Sequence, residues 1–136
     1  MDPSDGVLSL REAVDGANSS AGADEIVLPA GVHTLTIPGT GANNDNTGGD
    51  LDHLDTGQIT IRGAGLDVTY IDAAGLRDRI IVMRAGALVL EDLTIRNGDV
   101  DAGGGAVRSL GSLTATRLAV TDNAATDGGG GLRLAG

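Results

Sequence analysis

Lysine is absent from this 136-residue chain, as are cysteine, phenylalanine and tryptophan, and Tyr70 is the whole aromatic complement. Without cysteine there is no disulfide and no thiolate metal site. Without large rings the apolar volume comes from Leu, Ile, Val and Ala, which suit thin stacked layers better than a bulky globule. Sugar recognition by ring stacking would fall to Tyr70 alone. Positive charge is scarce too: nine arginines against nineteen acids leave a net charge of −10, which repels phosphate backbones and anionic membrane surfaces. Nucleic acid is therefore not an expected partner. No apolar run approaches the roughly 18 residues that span a bilayer, so membrane insertion is not expected. The opening "MDPSDGVLSLREAV" lacks the basic and apolar regions of a secretory signal.

What the chain has in quantity is glycine, 23 residues of it, and a repeat. "GALVLEDLTIRNG" (86–98) aligns with "GSLTATRLAVTDN" (111–123): Leu88 falls on Leu113, Leu90 on Ala115, Leu93 on Leu118 and Ile95 on Val120, an offset of 25. The same offset carries Gly103, Gly104, Gly105, Val107 and Arg108 onto Gly128, Gly129, Gly130, Leu132 and Arg133. Apolar residues alternate within each unit, which marks short strands with one buried face. "QITIRGAG", "VTYIDAAG" and "RIIVMRAG" (from Gln58, Val68 and Arg79) give the same rhythm upstream. A unit of this size cannot bury its inward face alone and must stack on its neighbours.

The expected fold is all-β: a right-handed parallel β-helix, or solenoid, of about three to four coils. Its core ladder would comprise Leu88, Leu90, Leu93, Ile95, Val107, Leu113, Leu118, Val120 and Leu132. The glycine runs fall where the chain turns sharply into a new strand and needs positive φ. A linker would not hold register, and no lysine exists to complete a Walker-type phosphate loop. Arg62, Arg96, Arg108, Arg117 and Arg133 alternate with apolar residues, so they should point outward and pair with acids along or between coils.

"LSLREAVDGANSS" (8–20) breaks the strand pattern. Ser9 followed by Glu12 makes a capping box, and Leu10, Ala13, Val14 and Ala17 share one helical face. With Leu8 they form the expected structural cap, a short helix over the open end of the first coil. The chain then reads as one domain over 1–136: capping helix 8–20, first coil 24–40, polar insertion 41–57, and further coils over 58–136 whose C-terminal end is uncapped.

The segment "LSLREAVDGANSSAGADEIVLPAGVHTLTI" (8–37) resembles the N-terminal region of bacterial extracellular β-helix proteins with a "CSLREA" motif, pectate-lyase-like and polymorphic-outer-membrane-protein-like. "SLREA" stands intact at Ser9 to Ala13, whereas Leu8 replaces the cysteine usual in that family. The resemblance covers about thirty residues. It implies a secreted or cell-surface protein, and little about activity.

Chemistry is sparse. The insertion "NNDNTGGDLDHLD" (43–55) offers Asp45, Asp50, Asp52 and Asp55 as hard oxygen ligands for Ca²⁺, although a solvated acidic loop is the plainer reading. His53 lacks a metal-ligand partner at useful spacing, and His33 is expected to face solvent. Asp99 and Asp101 map onto Ala124 and Thr126, so these acids do not stack into the facing carboxylates of a glycosidase, and the Asn97/Asp122 position reads as a polar turn. No catalytic or cofactor-binding residue is expected. The functional expectation is a structural, non-enzymatic solenoid segment: scaffold, stalk, adhesive element or filament subunit. The alternative is the N-terminal part of a polysaccharide-active enzyme whose catalytic coils lie elsewhere. Expected partners are further coils of a longer parent or the next subunit in a head-to-tail assembly.

Overall fold

The structure, a computed structural model, describes residues 9–39 and 46–135. Leu8 and Asp45 lie outside them. One helix, α1 (Leu10–Asn18), precedes twelve short strands: β1 (Asp24–Val27), β2 (Gly31–Thr34), β3 (Leu51–His53), β4 (Gln58–Arg62), β5 (Thr69–Asp72), β6 (Ile81–Met83), β7 (Ala87–Arg96), β8 (Asp99–Val100), β9 (Val107–Ser109), β10 (Ser112–Thr121), β11 (Ala124–Ala125) and β12 (Leu132–Leu134). All strand pairs are parallel, and they wind into a β-solenoid of about three turns.

Strand positions are occupied four deep. One face stacks β1, β4, β7 and β10; the next stacks β2, β5 and the second halves of β7 and β10; a third stacks β3, β6, β9 and β12. The inward ladders run Ile26–Ile61–Leu90–Ala115 and Leu51–Ile81–Val107–Leu132. The offset of 25 holds throughout the last two rungs, with Leu113 on Leu88, Leu118 on Leu93 and Leu132 on Val107. Earlier rungs are longer and less even. Asp24 sits on Ile59, an offset of 35, and Gly31 on Thr69, an offset of 38.

β7 and β10 each turn a corner without ending. Asp92 and Arg117, one offset apart, both have positive φ (54° and 46°), as do Asn97 and Asp122 (63° and 54°). Left-handed backbone at these non-glycine residues lets a strand change face in a single residue. The glycine runs have two causes, not one. Gly104 and Gly129 do adopt positive φ, but Gly105 is demanded by proximity, since a Cβ there would meet Ala124 O and Gly130 O at 2.3 Å.

Three sequence expectations are corrected. The run "DEIVLPAGVHTLTI" (24–37), which reads in the sequence as one strand, holds two strands, β1 and β2, broken at Leu28-Pro29-Ala30, where proline removes a ladder donor. The stretch read as a polar insertion over 41–57 contains β3, which completes the first rung over β6. Its charge disguised it: Asp52 is fully buried but paired with Arg84 at 3.3 Å. Leu132 keeps its ladder register on Val107 yet is 38% exposed, because no described residue stacks beyond it. Leu113, Leu118 and Val120 are half-buried for the same reason, whereas Leu88, Leu90, Leu93, Ile95 and Val107 are buried.

Candidate functional site

The two ends of the solenoid are where its chemistry collects. At the N-terminal end α1 starts as expected: Glu12 N donates to Ser9 Oγ (3.2 Å) and Ser9 N to Glu12 Oε2 (2.7 Å), closing the capping box. Leu10, Val14 and Ala17 are buried against the first rung, and Ala13 packs beside them. The helix is fixed by polar residues that the amphipathic pattern does not reveal. Arg11 is buried, and its guanidinium donates to Asp50 O (2.9 Å), Asn46 O (3.3 Å), Asn46 Oδ1 (3.2 Å) and Gly49 O. Asn46 answers with Nδ2 to Arg11 O (3.1 Å) and to Asp15 Oδ1 (2.8 Å).

These contacts close one sheet edge. Alternate backbone groups of a parallel strand point away from its partner and need acceptors or donors elsewhere. On the outer side of β3, Asn18 Nδ2 donates to Asp52 O (2.7 Å), Leu54 N donates to Asn18 Oδ1 (2.9 Å), and Asp52 N donates to Asn46 Oδ1 (3.3 Å). With Arg11 on Asp50 O, side chains stand where a further strand would pair. Asn18, which the sequence pattern does not single out, is thus a structural cap. His53 is buried at the inward position over Met83, its ring nitrogens 3.3 Å from Asn18 Oδ1 and Gly57 O.

The three described Ca²⁺ candidates, Asp50, Asp52 and Asp55, do not converge, and Asp45 lies outside the described residues. Asp50 faces Arg79 at 3.6 Å, Asp52 pairs with Arg84, and Asp55 accepts from Gly57 N (3.1 Å) in a turn. No group of three or more metal-ligating side chains occurs among the described residues. Asp50 is electrostatically the most displaced of them. Burial, then the nearby carboxylates Asp78 and Asp52, push its pKa up to about 7, against the opposing pull of Arg79 and Arg84. Burial also lowers the pKa of Arg11, opposed by the acids around it, Asp50 first.

Beside α1 the first rung is only partly covered. A cavity of about 820 Å³ lies between the helix and β1–β2, walled by Leu10, Ala17, Ile26, Leu28 and Leu35, with Glu12, Asp24 and His33 also on its lining. Asp24 and His33 occupy inward ladder positions over Ile59 and Ile71. His33 therefore lines this cavity, contrary to its expected solvent position, and its Nε2 lies 3.0 Å from Pro29 O. Strand parity gave the signal, because His33, Leu35 and Ile37 alternate together.

Along the outer faces three of the five arginines expected to pair do so across rungs, whereas Arg108 and Arg133 form no ion pair among the described residues. Arg62 joins Glu25 (3.0 Å) in the first rung to Glu91 (2.8 Å) in the third, Arg96 binds Asp72 (2.7 Å), and Arg117 binds Asp92. Arg96 also lies 4.4 Å over the Tyr70 ring, covering the chain's single aromatic surface. At the C-terminal end the outer edges of β10 and β12 have no partner strand among the described residues. No family model, curated protein or solved structure matches the chain.

Proposed function

We propose that this chain is a structural, non-enzymatic segment of a secreted or cell-surface protein, serving as scaffold, stalk or adhesive spacer. One observation carries the reading: arginines and acids are tied to one another across rungs, from Arg62 with Glu25 and Glu91 to Arg96 with Asp72 and Arg79 with Asp50. Such ladders hold coils in register, which is the work of a scaffold. The "SLREA" segment and the first-rung sequence support an extracellular setting through their resemblance to surface β-helix proteins. No described helix is long and apolar enough to cross a membrane. The proposed role needs no cofactor, nucleic acid or bilayer; its partners are further rungs, from a longer chain or another subunit.

The decisive assay is incubation with polygalacturonate and alginate, with and without Ca²⁺, beside a thermal melt in the same buffers. No cleavage and no Ca²⁺-dependent shift is the expected outcome. Release of unsaturated or reducing sugar would replace the scaffold reading with the enzymatic one, and a Ca²⁺ shift abolished by Asp50→Asn and Asp52→Asn would restore the cation site.

A further inference from the structure

One outward ladder carries positive charge that no acid neutralises. On the face formed by β3, β6, β9 and β12, the register Asp52–Val82–Arg108–Arg133 sets two arginines on consecutive rungs. Adjacent strands lie about 4.8 Å apart, so two guanidinium forks rooted side by side reach a common point. Arg62, Arg96 and Arg117 each have an acidic partner, but Arg108 and Arg133 form no ion pair among the described residues. Arg108 Nε is also buried without a hydrogen-bond partner. A buried donor of this kind costs free energy that a bound acceptor would recover. Arg108 belongs to an inner rung, with Val82 on one side and Arg133 on the other, so its ladder neighbours are fixed on both sides.

The turn before β9 gathers the surrounding cations. Arg79, one rung earlier, donates from Nη1 to Gly103 O (3.0 Å). The Arg133 side chain lies across Gly103 itself, where a Cβ would meet Arg133 Nη1 and, at 2.6 Å, its Cδ. Glycine at 103 thus makes room for the arginine of the next rung. Burial lowers the Arg79 pKa, and the like charges of Arg108 and Arg84 lower it further, against the pull of Asp50 and Asp78. The nearby acids are committed elsewhere. Asp50 faces Arg79 and Asp52 pairs with Arg84, while Asp78 accepts from Arg79 N (2.8 Å) and lies against Gly49. Asp101 and Asp127, exposed on the turns before β9 and β12, form no ion pair with either arginine. Arg108 and Arg133 therefore keep both of their charges.

We propose that Arg108 and Arg133 together bind the phosphoryl group of a small phosphate monoester, with Arg79 beside it. A phosphate monoester carries close to two negative charges at neutrality, its second pKa being about 6, and its oxygens accept from guanidinium forks. It matches the arginine pair charge for charge, which a singly charged sulfate ester does not. The net charge of −10 repels a long polyanion, but remote acids are screened beyond about 8 Å at physiological salt. The ligand is therefore an isolated phosphoryl group and not a nucleic acid. The site stands apart from the scaffold reading, and the polysaccharide assay does not bear on it.

Titration of the isotope-labelled full chain with methyl phosphate, followed by NMR at the arginine Nε–Hε signals, tests the proposal. Saturable shifts at Arg108 and Arg133 are expected, with methyl sulfate binding at least tenfold more weakly at equal ionic strength. Shifts that never saturate, or equal affinity for the two esters, overturn it. Arg133→Gln, at an exposed position, should weaken binding at least tenfold with the melting temperature unchanged; unaltered binding would refute the site. Arg108→Lys keeps the charge but removes the Nε donor, and it should also lose affinity. Where that variant folds poorly, Arg133→Gln decides alone. Arg62→Gln, on another face, should bind as the parent chain does, and a loss equal to that of Arg133→Gln would mean a diffuse response to net charge in place of a site.

Discussion

On the outer edge of β3, at the N-terminal end, Asp50 O, Asp52 N, Asp52 O and Leu54 N each have a side-chain partner. Three layers away on the same face, β12 has no partner beyond it among the described residues, and Leu134 is 64% exposed where Met83, two layers below in its ladder, is fully buried. Identical register thus gives opposite environments. What makes a ladder position core is not its place in the repeat but whether another layer covers it. The covered end obtains its layer from a nine-residue helix and three polar residues, Arg11, Asn18 and Asn46; the other end leaves its apolar ladder open to a partner.

Charge insertion at matched positions would break this comparison most severely. Leu93 and Leu118 are neighbours in one ladder, yet Leu93 is fully buried and Leu118 half-buried. Leu93→Asp should cost about 5 kcal/mol or more and leave the chain unfolded. Leu118→Asp should cost only about 1–2 kcal/mol, since its carboxylate can turn to water. Urea unfolding followed by circular dichroism distinguishes them, and equal losses would mean that the rim is covered in the monomer.

Removing the guanidinium that ties the helix to residues 46–50 comes next. Arg11→Ala strands several buried carbonyls and should destabilise by about 3–5 kcal/mol. Hydrogen exchange should then show protection lost in α1 and β3 while β7 keeps its own.

Acidity sharpens the contrast, because Asp50 lies at the closed end. Its folded pKa of about 7 is above the ordinary 3.8, so the folded state binds more protons than the unfolded one between those values. Its stabilising contribution is full below pH 3.8 and is lost as pH rises through about 7. Asp50→Asn should flatten that slope and raise stability at pH 8 by on the order of 2–4 kcal/mol relative to its effect at pH 4. Paired denaturation curves at the two pH values check this, and an unchanged slope would mean Asp50 is charged throughout. The smallest effect is expected for Ser9→Ala, which removes half of the capping box at about 1 kcal/mol. A shift of a few degrees in the melting temperature would register it.

The last two rungs were legible because no insertion interrupts them, so a single offset of 25 aligned Leu88 to Val107 with Leu113 to Leu132. β3 was not, since Asp52 is neutralised by an arginine 32 residues away and its burial leaves no apolar trace. Arg11 escaped for a related reason: a charged residue on an amphipathic helix reads as solvent-facing. Its spacing held the clue, because Arg11, Val14 and Asn18 fall three and seven residues apart on one stripe. The candidate Ca²⁺ ligands were read from the acidic run alone, and the partners that divert Asp50, Asp52 and Asp55 from a common point are contacts of the fold.

The unequal lengths of the rungs have a mechanical consequence. The last layer is held to its neighbour by strand pairs 25 residues apart, so peeling it from the C-terminal side would release roughly 85 Å of chain at about 3.4 Å per residue. The first layer, 35 residues from the next at Asp24 and Ile59, would release roughly 120 Å, and it is the one clamped by Arg11. Stretched between its termini, the molecule should yield in shorter steps before a final long one at higher force. That pattern would make it a graded extensible element whose stiffest joint lies beside the helix.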